Sequence, residues 1–110
     1  MNASMDSLFA ALADPTRRAI LDRLRKGEAS AGDLARPFDL SQPAVSRHLR
    51  TLREAGLIDQ RRAGTRRLFR LQPHRLAEID TWLDRFRTTM EASYARLDTL
   101  LAEKDPDDAP

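Results

Sequence analysis

Apolar residues recur along the chain with two periods, and each period predicts one type of secondary structure. Spacings of three and four residues predict five helices, over residues 6–13, 15–26, 31–36, 41–55 and 73–102. Two runs of high strand propensity, the second with positions 67, 69 and 71 on one face, predict a β-hairpin over residues 57–71. The order of these elements indicates a mainly α-helical chain with one small β-hairpin.

The fourth predicted helix has the most regular pattern, with Val45, Leu49 and Leu52 at i, i+4 and i+7. Its polar side carries the side chains that we expect to face a partner: Ser41, which also caps the helix, Gln42, Ser46, Arg47 and Arg50. Short side chains near the N-terminus and outward Arg and Gln suit a helix that reads the DNA major groove. An ordinary amphipathic surface helix has the same pattern, so this segment alone leaves both interpretations open.

The segment in front of that helix has the features of a helix-turn-helix unit. Ser30, followed three residues later by Asp33, resembles a capping box and predicts the start of the third helix. The connection from the third to the fourth helix is short. Such units often have glycine in the turn, whereas here Pro37 or Asp39 has to take that role.

The predicted hairpin is rich in arginine. Its two strands are separated by Ala63–Gly64, and Phe69 and Leu71 share a face that can pack inward. Arginines, among them Arg62, Arg66 and Arg67, line the edge and the tip, and no acidic residue occurs from position 61 to position 70. A hairpin whose exposed edge is merely charged is the alternative to a basic binding surface.

The last predicted helix carries a long apolar seam with spacings of four and three residues, which is typical of helix pairing. The seam residues are Ile79, Leu83, Phe86, Met90, Tyr94, Leu97 and Leu101. The short helix with Leu8 and Phe9 and a second copy of the chain are the candidates to cover it. A helix buried within one copy is the alternative. We expect one domain over residues 1–102 and a disordered acidic tail over residues 103–110.

Positive charge is concentrated in the middle of the chain. Residues 41–70 contain eight arginines and two acids, a balance of +6, whereas the remaining residues balance at −4. This distribution suits a polyanion such as nucleic acid. No apolar run is long enough for a membrane span and the first residues lack a basic signal region, so we expect a cytoplasmic protein with no membrane partner.

The residue inventory argues against an enzyme and against a metal site. The chain has no cysteine, no glycine-rich phosphate loop and only two histidines, His48 and His74, in different predicted elements. We therefore expect no cofactor and no catalytic residues, and a packed or hydrogen-bonded His48.

Three motifs together resemble the winged-helix regulators of the arsenical-repressor (ArsR-type) family. They are ALADPTRRAILDRL (residues 11–24), LSQPAVSRHLRTLREAGLI (40–58) and RRAGTRRLFRL (61–71). The resemblance implies a winged helix-turn-helix fold with five helices and a two-stranded wing. It also implies a homodimeric repressor that pairs through its first and last helices, which carry Leu8, Phe9, Leu83, Phe86, Met90 and Leu97.

The family's mode of binding gives each basic element an expected role. The helix at 41–55, here called the recognition helix, enters the major groove of an inverted-repeat operator, and the wing at 57–71 meets the flanking backbone. The cysteine and Asp/His/Glu clusters of metal-sensing members are missing, so the chain is similar to the metal-independent branch, with no effector indicated. The rival hypothesis is a protein-interaction module or a nonspecific nucleic-acid-binding module.

Overall fold

A computed structural model describes residues 4–103 of the chain. This part of the chain contains five α-helices and three short strands. The helices are α1 (Met5–Leu12), α2 (Pro15–Leu24), α3 (Ala31–Ala35), α4 (Gln42–Glu54) and α5 (Pro73–Glu103). The strands are β1 (Ala29–Ser30), β2 (Ile58–Ala63) and β3 (Arg66–Leu71), and a 3-10 turn at Arg36–Phe38 follows α3. The five predicted helices and the hairpin are thus confirmed, with ends that differ by one or two residues.

Side chains that accept backbone N–H groups fix where the helices begin. Asp14 caps α2 by accepting the Arg17 amide at 3.0 Å, and Pro15 takes the first helical position, where no N–H is needed. At α3 the predicted capping box is confirmed. The Ser30 hydroxyl accepts the Asp33 amide and the Asp33 carboxylate accepts the Ser30 amide, each at 3.2 Å.

The wing belongs to a three-stranded antiparallel sheet with the order β1-β3-β2, and not to a two-stranded one. The sequence did not predict β1, because two residues are too few to show an alternating pattern and Ser30 also caps α3. The hairpin turn is Gly64–Thr65, one residue later than expected, since Ala63 still pairs with Arg66.

The turn before α4 contains no glycine, and Asp39 takes the position that glycine often occupies in such turns. The chain continues from α3 into the 3-10 turn, and Asp39 then adopts the left-handed conformation with φ 52° and ψ 41°. This conformation is costly for most residues, but short polar side chains such as Asp tolerate it. Asp39, and not Pro37, therefore reverses the chain in front of α4.

The core of residues 4–78 takes side chains from most of the elements. The largest fully buried ones are Leu8, Ile20, Leu34, Val45, Leu52 and Leu57. The predicted stripe of α4 is confirmed, since Val45, Leu49 and Leu52 are at most 3% exposed. Phe69 of the wing is buried as expected, whereas Leu71 is half-buried. Because Leu8 is completely buried within its own chain, it has no surface for a second copy, contrary to the role that the resemblance gave it.

The chain divides after Glu78 into two units, and the described part of the second is the continuation of α5. Within that unit most side chains of the predicted apolar seam are exposed to solvent. Leu83, Phe86 and Met90 are 37–45% exposed, and Tyr94 and Leu97 are 65% and 51% exposed. Of the predicted tail, Glu103 is the last residue of α5, and residues 104–110 lie outside the described residues. No described helix is both long and apolar enough to cross a membrane.

Candidate nucleic-acid interface

The exposed side of α4 carries the predicted groove-facing residues. Gln42, Ser46, Arg47 and Arg50 are all exposed on the helix whose opposite stripe is buried. Ser41 is exposed as well, but its hydroxyl accepts the Ala44 amide at 3.3 Å and so caps the helix. Arg47 and Arg50 form no ion pair with any residue that the structure describes, so their guanidinium groups are available to a partner.

A buried arginine holds the C-terminal end of α4. The side chain of Arg75 donates to the carbonyl of Ala55 at 3.2 Å and to the carbonyl of Ser4 at 3.3 Å, and it pairs with Glu78. A Cβ at Gly56, which has φ 77°, would lie only 3.0 Å from the Arg75 Cγ. Arg75 therefore ties the end of α4 to the start of α1, and it needs a glycine beside it. Sequence patterns did not find this role, because they place a charged residue at the surface.

His48 of α4 is hydrogen-bonded, as the sequence predicted. Its Nδ1 lies 3.3 Å from Nη1 of Arg17, and the ring is half-buried. The same arginine donates to the carbonyls of Ala10 and Ala11 at the end of α1. The Arg17 amide also holds the pKa of Asp14 below its usual value. His48 thus belongs to a network that joins α4 to α1 and α2.

Three wing arginines are paired with acids. Arg61 donates to both carboxylate oxygens of Glu28 at 2.7 Å, and Arg70 donates to Asp59 at 2.7 and 3.3 Å. Arg66 lies 3.3 Å from the carboxylate of Asp33.

These pairs change the titration of their acids. The hydrogen bonds from Arg61 and Arg70 lower the pKa values of Glu28 and Asp59. The pKa of Asp33 is also lowered, first by the Ser30 amide and to a lesser extent by Arg66. Sequence reasoning missed the pairs of Arg61 and Arg66, because each joins residues 33 positions apart.

Arg62 and Arg67 remain without an acidic partner among the described residues. They face each other in the β2–β3 register, and both are exposed. Like charges directly opposite in a sheet are destabilising. An anion bound between them would remove that repulsion, so the geometry favours Arg62 and Arg67 over the paired Arg66 as the anion-binding positions of the wing.

Comparisons with known proteins place these features in one group of regulators. Residues 12–61 match a helix-turn-helix domain family. An HTH-type transcriptional regulator of Mycobacterium tuberculosis is 50% identical over 94 residues, which is 86% of this chain and 88% of that protein. The transcriptional repressor SdpR of Bacillus subtilis is 39% identical over 82 residues, covering 74% of this chain and 91% of the repressor.

Solved structures agree with the sequence comparisons. The crystal structure of an ArsR family transcriptional regulator superposes with a TM-score of 0.73 and 34% identity, covering 79% of this chain and 96% of that one. An ArsR-like transcriptional regulator from Rhodococcus sp. RHA1 gives a TM-score of 0.69 at 29% identity, covering 86% of this chain and 90% of that one.

The Glu28–Arg61 pair can be tested by titration. In Arg61→Ala the pKa of Glu28 should rise toward the usual value for glutamate, because the hydrogen bonds that stabilise the carboxylate are removed. Carbon-detected NMR of the Glu28 carboxyl group measures this shift. Arg62→Ala is the matched control, since Arg62 has no acidic partner among the described residues, and it should leave the titration unchanged. An unchanged Glu28 pKa in Arg61→Ala would show that the pair does not form in solution.

Proposed function

The chain belongs to the ArsR family of winged helix-turn-helix transcriptional regulators, and we propose that it is a homodimeric repressor that binds an inverted-repeat DNA operator. The observation that carries the proposal is the arrangement of α4. One side of this helix is buried in the core, and its exposed surface carries Arg47, Arg50 and Arg53, which have no acidic partner among the described residues.

In this proposal α4 reads bases in the major groove. Gln42 and Arg47 stand on its exposed side, and these residue types recognise adenine and guanine through paired hydrogen bonds. Each such contact discriminates against a wrong base by about 1–3 kcal/mol. The fixed ends of the helix support this role, because a helix that is held at both ends keeps its side chains in register with the bases.

The wing adds affinity through the phosphate backbone. Arg62 and Arg67 supply unpaired positive charge, whereas Arg61 and Arg70 are committed to Glu28 and Asp59. We assign the paired arginines to holding the wing in place. Arg66 is intermediate between the unpaired and the paired arginines. It can contact phosphate only in competition with its partner Asp33.

The exposed stripe of α5 supports the homodimer. Leu83, Phe86, Met90 and Leu97 are 37–51% exposed, and Phe9 of α1 is 37% exposed. Water contact with so long an apolar stripe is unfavourable, and a second copy brings an identical stripe to cover it. A two-fold dimer also presents two recognition helices, which explains why the proposed operator is an inverted repeat with half-sites about 34–36 Å apart.

We propose further that the repressor acts in the cytoplasm, where it meets DNA, and that it does not sense metal. The chain has no cysteine, and His48 is engaged by Arg17. Carboxylates with no thiolate or grouped imidazole bind zinc and similar ions weakly.

Substitutions should separate the roles of the helix and the wing. Gln42→Ala and Arg47→Ala should each reduce the preference for the operator over a scrambled duplex, by about 5- to 150-fold for each lost contact of about 1–3 kcal/mol. Arg62→Ala should weaken binding to both duplexes alike. It should also lower the slope of log affinity against log salt by about two units in a dimer, or about 0.9 for each phosphate.

The measurement is binding to both duplexes across a salt series. Arg25→Ala, at the C-cap of α2 and outside both elements, serves as the control and should behave like the parent. Loss of sequence preference in the wing variant, with preference retained in both helix variants, would contradict the assignment.

The α5 stripe predicts the oligomeric state. Leu83→Arg should be monomeric at micromolar concentrations at which the parent is a dimer, because burying a charge in an apolar interface costs several kcal/mol. Sedimentation velocity measures the two species. Thr88→Arg is the matched control, since the helical period places Thr88 opposite the stripe, and it should remain dimeric. A monomeric parent, or a dimeric Leu83→Arg, would rule out pairing through this stripe.

A further inference from the structure

A cleft of about 280 Å³ separates the recognition helix from the wing. Ser46, Arg50 and Arg53 of α4 line one wall, and Gln60 and Arg67 of the sheet line the other. The buried side chains of Leu49 and Phe69 also line it. At about 30 Å³ for each water molecule, the cleft has room for a small hydrated group. It is called the helix–wing cleft below.

All the charged side chains that line the helix–wing cleft are positive. Its three arginines form no ion pair with any described residue, and none of its lining residues is acidic. A second groove shares Arg50, Arg53 and Gln60 but also contains Glu54 and Asp59. Because those carboxylates repel an anion, an anion is electrostatically more favourable in the helix–wing cleft than in the second groove.

Gln60 adds an unsatisfied hydrogen-bonding group to the cleft. Its Oε1 is buried and has no hydrogen-bond partner in the part of the chain that the structure describes. A buried acceptor without a donor costs free energy. Arginines that can donate line the same cleft, and a guanidinium that bridges Gln60 and a bound anion would satisfy both.

We propose that the helix–wing cleft seats one phosphodiester group of the operator in each half-site. This proposal rests on the function proposed above. A helix in the major groove and a wing on the flanking backbone must straddle the sugar–phosphate strand between them, so that strand passes the mouth of the cleft. Arg53 and Arg67 contact the phosphate from the two walls.

The proposal adds two residues to the interface. Arg53 is a phosphate-binding residue that the sequence analysis did not select. In the proposed complex Gln60 is a positioning residue: its Oε1, which has no partner among the described residues of the free chain, accepts a hydrogen bond from Arg53 once the phosphate is bound and directs that guanidinium toward the phosphate. Neither residue is expected to read a base.

Ethylation interference on a duplex that the parent selects from random DNA tests the phosphate contact. Each half-site should show one sensitive phosphate between the bases contacted by α4 and the phosphates contacted by the wing. In Arg53→Ala the sensitivity of that position should fall, because only Arg67 still contacts the phosphate, while the other positions keep theirs. The salt slope should also fall, by at most about two units in a dimer, or about 0.9 for each phosphate. Arg25→Ala is the matched control and should reproduce the parent pattern.

A double-mutant cycle tests Gln60. Gln60→Leu should weaken operator binding in the parent but have little effect in Arg53→Ala, because its role acts through Arg53. A purely structural role would weaken binding equally in both backgrounds and would overturn the assignment of Gln60. A parent pattern that Arg53→Ala leaves unchanged would overturn the cleft while the proposed function stands. A parent that prefers no duplex would overturn the proposed function and the cleft with it.

Discussion

The structure depends on the burial of one side of α4. Val45, Leu49 and Leu52 are at most 3% exposed, and burying each such side chain contributes about 1.5–3 kcal/mol. Burial fixes which side of the helix faces outward. Contacts at its two ends fix where the helix begins and ends. Asp39 and Ser41 set the N-terminal end, and Arg75 holds the C-terminal end. The polar side of the helix is therefore held in one orientation while Gln42, Ser46, Arg47 and Arg50 stay exposed.

Acidic residues divide the arginines of this basic region into two groups. Glu28 and Asp59 engage Arg61 and Arg70, which brace the wing against its own sheet and the segment before α3. The arginines on the outward side of α4 and at the Arg62–Arg67 pair have no such partner among the described residues. Net charge alone does not distinguish among the eight arginines of residues 41–70. The distribution of carboxylates, and not the number of arginines, decides which of them can contact a polyanion.

Periodicity in the sequence was sufficient to predict the five helices, the hairpin and the exposed side of α4, because each depends on neighbours three, four or two residues away. It could not predict β1, whose two residues show no period. It also could not predict that Arg75 is buried or that Arg66 meets Asp33, since those contacts join distant parts of the chain. Leu8 and Phe9 share a helix, yet only Phe9 keeps exposed surface, and that difference depends on tertiary packing.

The two recognition helices of the proposed dimer should read an inverted repeat. Selection of bound duplexes from random DNA by the full chain, followed by sequencing, shows whether they do. We expect enrichment of an inverted repeat whose half-site centres are one helical turn, about 10–10.5 base pairs, or a multiple of it, apart. Enrichment of a single unrepeated site, or of no sequence at all, would contradict it.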